Sequence, residues 1–366
     1  MSDVLIIGGG VIGCGIAQAL ASRGASVTLV DPRPVGGGAS RASAGMLAPY
    51  TEGRHDPALQ VLGALSLARY DALVRTLADQ GWPVPFARTG SIDVAFDTTS
   101  ADALAVVATT LARDGISCQR LDRDALRDLE PSVAQSAVAG LKIPEHGAVD
   151  VPALASALWR SAASRGARLL QARAHRIVPT SSAVRVHTSE GTFDASHVVL
   201  AAGCWAGQVD VDGVAPLAVQ PVRGQLLALR ADAAVAEHSL WGPDCYVVPW
   251  ADGTVLVGAT VEHVGFDERA TSAGVGQLLQ AATMLVPGLA YAEFLEVRVG
   301  LRPGTLDDRP IVGPSQRVKG LIYATGHFRN GALLAPLTAD AVADLVTGTP
   351  LDSVWAPCDP QRFGSY

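Results

Sequence analysis

The chain is 366 residues long, 49% apolar and only 17% charged, which excludes a disordered chain and supplies enough material for two domains. Its net charge of −7, with no run of four basic residues, argues against a nucleic acid or an anionic membrane as partner. The five cysteines (Cys14, Cys118, Cys204, Cys245 and Cys358) are widely spaced, without a Cys-x-x-Cys pair or a Cys/His cluster; free thiols in a reducing compartment and no metal site are expected.

Residues 4–21 carry no charge, a pattern that a membrane span or signal peptide would also give. Five glycines fall inside that run and Asp3 precedes it, so a soluble element, no membrane partner and a cytoplasmic location are expected. Val4-Leu5-Ile6-Ile7 reads as a parallel strand buried on both faces. Gly8-x-Gly10-x-x-Gly13 follows, then a helical stretch closed by Gly24, then a second buried strand ending on Asp31, 18 residues after Gly13. In a dinucleotide-binding βαβ unit, Gly8 permits the tight turn, Gly10 lets backbone approach a pyrophosphate and Gly13 lets helix pack on strand. The helix N-terminus offers free N–H groups to phosphate, and Asp31 is placed to accept from ribose hydroxyls. An acid at that position disfavours NADP, while the motif leaves NAD and FAD open.

Residues 35–49 are a run of small side chains, Val-Gly-Gly-Gly-Ala-Ser-Arg-Ala-Ser-Ala-Gly-Met-Leu-Ala-Pro. Small residues let backbone lie against a planar ring, which favours FAD. With its Ser-Ala-Gly-Met-Leu segment the chain here resembles the D-amino-acid oxidase superfamily, and within it the glycine oxidases of the thiamine pathway.

Further on, residues 57–80 show apolar positions at helical spacing and read as one amphipathic helix. Residues 89–96 alternate as a strand, and 101–113, 122–129 and 151–165 read as helices. Residues 168–178 and 183–188 read as a strand pair, leading to the strand Val198-Val199-Leu200 and an Ala201-Ala202-Gly203 turn suited to close backbone approach. Strands are expected at 220–228, 245–250, 254–260 and 293–300. The C-terminal part holds Gly300-Leu301-Arg302-Pro303-Gly304 and a strand at 321–324, then the loop Gly326-His327-Phe328-Arg329-Asn330-Gly331 and a helix at 334–345. Such a helix aims its N-terminus at the cofactor, where its positive end stabilises an anionic reduced ring.

The fold class expected is α/β: a Rossmann-like FAD-binding domain (1–82, 146–215 and 302–366) interleaved with a smaller α+β substrate domain (83–145 and 216–301) on a mixed or antiparallel sheet. The resemblance covers essentially the whole chain. It implies cofactor contacts from Gly8, Gly10, Val11, Ile12, Gly13, Asp31 and Pro32 in the first unit, and from Ala39, Ser40, Ser43, Ala44, Gly45 and Met46 in the small-residue run. It adds Ala174, His175, Ala202 and Gly203 in the middle, and Arg302, His327, Phe328, Arg329, Asn330, Gly331, Ala332 and Leu333 near the end.

The resemblance also makes Arg302 the clamp for a substrate carboxylate, with Tyr246 adding a hydrogen bond and Arg329 closing the site. A guanidinium fork suits a carboxylate. The competing readings pair Arg302 with Asp307 or Asp308 and make Arg329 a turn cap; His327 reads as a packed loop residue, and His55 and His146 as ordinary. The implied reaction moves a hydride from the Cα of a small amino acid (glycine, sarcosine or a small D-amino acid) to the flavin. The imine is then hydrolysed, and oxygen is the acceptor that yields peroxide. Sarcosine-oxidase-like enzymes tether flavin to a cysteine near the C-terminal region; residues 290–331 contain none, so the flavin is expected to be non-covalent. D-Proline-type dehydrogenases with another acceptor and a tRNA-modifying flavoenzyme domain stand as alternatives, and a homo-oligomer is compatible with the sequence. Two departures from the glycine oxidase pattern, Asp244 in place of histidine and Val261 in place of methionine, are expected near the pocket, where they would alter substrate choice.

Overall fold

The computed structural model describes residues 2–231 and 235–364. The apolar run at the start forms the strand Ser2–Ile7, with parallel neighbours on both sides, Val27–Val30 and Gly191–Leu200. Arg168–Leu170 and Leu321–Thr325 extend this parallel core at its two edges. Val4 and Ile6 pack on one face of the sheet and Leu5 and Ile7 on the other, as a strand buried on both sides requires. Helices Val11–Ser22, Val151–Ala163 and Gly331–Val346 share the first of these faces. The hairpin Ala174–Pro179 with Val184–Thr188 continues the sheet in antiparallel fashion, and Asp210–Val211 and Ile311–Pro314 bring it to nine strands among the described residues.

An eight-stranded sheet forms the second layer. Its edge strand Glu293–Gly304 pairs along its whole length with Gln220–Arg230, and the order continues through Thr254–Gly258, Tyr246–Pro249, Ser239–Trp241, Ser91–Ala95 and Ala139–Ile143 to Gln119–Asp122. All its pairings are antiparallel except that of Ser239–Trp241 with Ser91–Ala95. The helix Ser272–Leu285 buries Leu278, Ala282 and Leu285 against it. A parallel-rich α/β layer beside a largely antiparallel sheet is the expected fold class.

Three local expectations are corrected. The helix read over 57–80 is two helices, Pro57–Leu67 and Tyr70–Asp79. The turn between them lets Tyr70 enter the core, where its hydroxyl donates to the carbonyl of Ala332. The strand read over 168–178 is two short ones, Arg168–Leu170 beside Val27–Val30 and Ala174–Pro179 in the hairpin, so the segment serves two places in one sheet. The strand expected to end at Gly300 runs to Gly304, which puts Arg302 on the second sheet opposite Val222.

Candidate functional site

A cavity of about 750 Å³ lies where the two layers meet, within the range of small-molecule sites. Its wall draws on the first glycine turn, the small-residue run, the Ala201-Ala202-Gly203 turn, the edge strand Glu293–Gly304 and the loop before the last long helix.

One end is built for a dinucleotide. Gly8 has φ +114°, and a Cβ there would lie 2.3 Å from the carbonyl oxygen of Ala201; a Cβ on Gly13 would lie 1.9 Å from the carbonyl oxygen of Gly8. Neither position admits a side chain, so the glycine turn packs closely on the Ala201-Ala202-Gly203 turn, and Gly8 and Gly10 line the cavity. The helix Val11–Ser22 has no cap from Gly10, and its first N–H, that of Val11, donates to Ser40 Oγ at 2.9 Å. Asp31 accepts from the N–H groups of Gly9 (2.6 Å) and Arg33 (2.7 Å) while still lining the cavity. Arg33 lies 4.3 Å over the Trp205 ring and makes a two-pronged pair with Glu268 (2.9 and 2.8 Å), which joins the two layers above this end.

The other end carries the charged groups. Arg302 donates to the carbonyl of Thr260 at 2.9 Å and has no carboxylate partner among the described residues; Asp307 is taken by Arg362 at 2.8 Å. Burial pulls its guanidinium below its ordinary pKa, and Tyr246 beside it works the other way. Burial also pushes the Tyr246 phenol up, against the opposing pull of Arg302, so the hydroxyl keeps its proton as a donor. Glycines make room for both side chains. A Cβ on Gly224 would meet the Arg302 guanidinium, and one on Gly258 would meet the Tyr246 hydroxyl at 2.2 Å. Arg329 is forked onto Glu52, with Nε to Oε2 at 2.6 Å and Nη2 to Oε1 at 3.2 Å. It is therefore neither a turn cap nor a free cation. Burial would lower its pKa, but Glu52 more than reverses this.

The loop before the last helix is held in place. Phe328 has φ +46°, rare for a bulky residue, and its N–H donates to the carbonyl of Pro303 at 3.0 Å. His327 is fully enclosed, bonds Thr338 Oγ1 through Nε2 at 3.1 Å, and burial takes its pKa down to about 3, so it is a neutral packing residue. His146 is likewise structural: Nδ1 meets Ser91 Oγ at 2.7 Å and Nε2 accepts from the Tyr50 N–H at 3.3 Å.

Most sequence-predicted positions line this one cavity, including Gly8, Asp31, Ser40, Met46, His175, Ala202, Tyr246, Arg302 and Arg329. Gly13, Asn330 and Leu333 do not. Gly13 sits under Gly8, Asn330 precedes the last long helix, and Leu333 points into the helical core. Asp244 and Val261 are also off the wall: Asp244 is exposed and Val261 is 49% exposed, so neither touches the pocket they were expected to tune. Sequence reasoning missed Glu52, Arg33, Trp205, Gly224 and Gly258. Gly224, alone in the middle of a strand pattern, was the available signal, since such a glycine marks close approach by another group.

FAD fits these residues. The cradle at Gly8 accepts only backbone, and two helix N-termini without a side-chain cap from their own N-cap residue, at Gly10 and Asn330, face the cavity through Val11, Gly331 and Ala332. Such termini favour a pyrophosphate and an anionic ring. The family model described as FAD dependent oxidoreductase (DAO) matches residues 3–345. The chain is 37% identical to the glycine oxidase of Geobacillus kaustophilus over 94% of its own length and 92% of that protein. It is also 37% identical to a bifunctional protein ThiO/ThiG of Nostoc, over 94% of this chain and 52% of that longer protein. The crystal structure of the G. kaustophilus glycine oxidase superposes with a TM-score of 0.94 at 36% identity, covering 99% and 98% of the two chains. An iminodiacetate oxidase from Chelativorans gives 0.89 at 29%, with 98% of each chain covered. The chain thus belongs to the DAO family of FAD-dependent oxidoreductases and is glycine oxidase-like.

Proposed function

We propose that the protein oxidises glycine or a small amino acid such as sarcosine or a small D-amino acid. Substrate, oxygen and water would give the 2-oxo acid, ammonia or the corresponding amine, and hydrogen peroxide, feeding thiamine biosynthesis. The observation that carries this reading is Arg302: a buried guanidinium lining the cavity, bonded to backbone carbonyls and set beside a phenol, with no carboxylate partner among the described residues. A carboxylate is the group that completes it. The relatives named glycine oxidase and ThiO/ThiG support the amine and the pathway.

When bound, FAD supplies a hydride acceptor and, in air, a route for two electrons to oxygen. The chain's own residues bind and orient. Arg302 holds the carboxylate and Tyr246 donates one further hydrogen bond, which together fix the direction of the Cα–H. The apolar and backbone walls around Met46, Leu301 and Phe328 exclude water from the reacting carbon. At the substrate end no side chain is placed as a base among the described residues: His327 is neutral and bonded to Thr338, and Glu52 is held by Arg329. The amine would therefore react in its neutral form. Among the described residues no cysteine lines the cavity, which supports a non-covalent flavin. We assign the nine-stranded layer to the cofactor and the eight-stranded layer to the substrate. Among the described residues no helix is long and apolar enough to cross a membrane.

The test is peroxide release from the flavin-loaded protein with glycine, sarcosine, D-alanine and D-proline. Peroxide with at least one of them supports an oxidase. Flavin bleaching without air, and no peroxide in air, would leave a dehydrogenase. Arg302→Ala should raise KM about tenfold or more while flavin stays bound; loss of flavin instead would remove the clamp role.

A further inference from the structure

Two guanidinium groups, Arg302 and Arg329, line the substrate end of the cavity, and Arg329 is close enough to weigh on the charge of Arg302. Their surroundings differ. Arg302 meets carbonyls and the Tyr246 phenol but no carboxylate among the described residues, whereas both prongs of Arg329 are closed by Glu52, whose side chain is 11% exposed. Glu52 and Asp31 are the only carboxylates on the wall among the described residues, and Asp31 lies at the dinucleotide end. The charge facing a substrate is therefore Arg302 and Arg329 less Glu52, a net of one positive.

The segment that carries Glu52 is built to hold it there. The short helix Pro49–Glu52 has Tyr50 stacked on His146 at 5.5 Å, with its N–H on the imidazole. Thr51 Oγ1 reaches Asp93 at 3.4 Å, and Arg54 pairs with the same buried carboxylate. Asp56 then pairs with Arg309 at 2.6 Å. Gly53 permits the fold of the segment, since a Cβ there would lie 2.7 Å from the carbonyl oxygen of Pro49. A side chain fixed by so many neighbours loses little entropy on pairing, and its ion pair is stronger than an exposed one.

We propose that Glu52 is a specificity-determining residue: by neutralising Arg329 it restricts the site to substrates with one carboxylate. A second carboxylate on the substrate would have to displace Glu52 from Arg329 or lie against it as a like charge. Monocarboxylate amino acids meet Arg302 alone and suffer neither cost. The inference rests on the carboxylate clamp assigned to Arg302 above.

The experiment uses the FAD-loaded full chain and two readouts. Binding is followed by the change in flavin absorbance on titration with acetate and with malonate. Turnover is followed as kcat/KM for sarcosine and for iminodiacetate, which is glycine with a second carboxymethyl arm. Glu52→Gln should raise the preference for malonate over acetate, and for iminodiacetate over sarcosine, about tenfold or more. Adding Arg329→Gln should abolish that gain, because the gain runs through the freed guanidinium. Glu52→Asp should keep the wild-type preference. An unchanged preference in a yellow, folded Glu52→Gln protein would overturn the proposal, as would a gain that survives loss of Arg329. Should Glu52→Gln fail to hold flavin, Arg329→Gln alone decides: the bared Glu52 should lower the malonate preference, and no drop overturns the idea. If no amine yields peroxide the oxidase reading fails, while the acetate and malonate titrations still test Glu52.

Discussion

Gly224 and Arg302 sit on adjoining antiparallel strands, and a methyl group on Gly224 would lie 2.4 Å from Arg302 Nη1. The guanidinium rests where a side chain would otherwise project from the strand Gln220–Arg230. Gly224→Ala should therefore displace the clamp without touching the dinucleotide end. The expected result is a rise in KM, or in the Kd of acetate, of about tenfold, with flavin content unchanged. Steady-state kinetics and the flavin-to-protein absorbance ratio check it.

Gly8 makes the opposite test. Its φ of +114° and the 2.3 Å from its Cβ position to the Ala201 carbonyl oxygen leave no room for alanine. Gly8→Ala should purify with little or no flavin, and any flavin retained should be released far more easily on dialysis. A fully yellow variant would contradict the cradle.

Two imidazoles make stability fall in acid. Burial takes both His146 and His327 down to about 3, with Arg54 and Arg88 adding to the effect at His146. In the unfolded chain such groups take a proton near pH 6.5. Their contribution is thus fully present above about pH 6.5 and is lost as pH falls from there towards 3, by at most about 1.4 kcal/mol per pH unit for each. His327→Gln should flatten the slope of unfolding free energy against pH in that window, read by urea denaturation at matched flavin loading. An unchanged slope would show that His327 protonates in the folded state.

Arg54 supports a buried carboxylate. Asp93 is nearly enclosed, and burial pushes its pKa up although Arg54 opposes the shift. Arg54→Leu should destabilise the fold by on the order of 3 kcal/mol at neutral pH, because it strands a buried charge. Since a protonated Asp93 buries more easily, this penalty should shrink as pH falls. Thermal unfolding at pH 5 and pH 8 gives the comparison.

The parts of the site legible in the sequence were those whose geometry is local. Gly8, Gly10 and Asp31 act through a turn, a helix start and the next strand end, all within one βαβ unit, and the loop from Gly326 to Gly331 is a single turn before a helix. The missed parts come from distant segments meeting. Glu52 and Arg329 are 277 residues apart, Arg33 and Glu268 are 235 apart, and no periodicity links them. Gly300 shows the same limit. Its Cβ position lies 2.9 Å from the Ala42 Cβ, so the small-residue run is small partly to admit the edge strand of the other layer. Asp244 and Val261 misled because both fall outside the strands, Asp244 in the bend before Tyr246–Pro249 and Val261 beyond the end of Thr254–Gly258, and there both turn to solvent.

The cavity wall begins at Ile7 and is completed only by Ala332. The phosphate cradle lies near one end of that stretch, while the strand Leu321–Thr325 and the helix Gly331–Val346 lie near the other and pack beside Gly191–Leu200 and Val11–Ser22. The pocket is whole only when these distant segments have packed together, so flavin binding would follow their docking. Once seated, the cofactor would act as a fastener between these distant segments, and its loss would loosen both together.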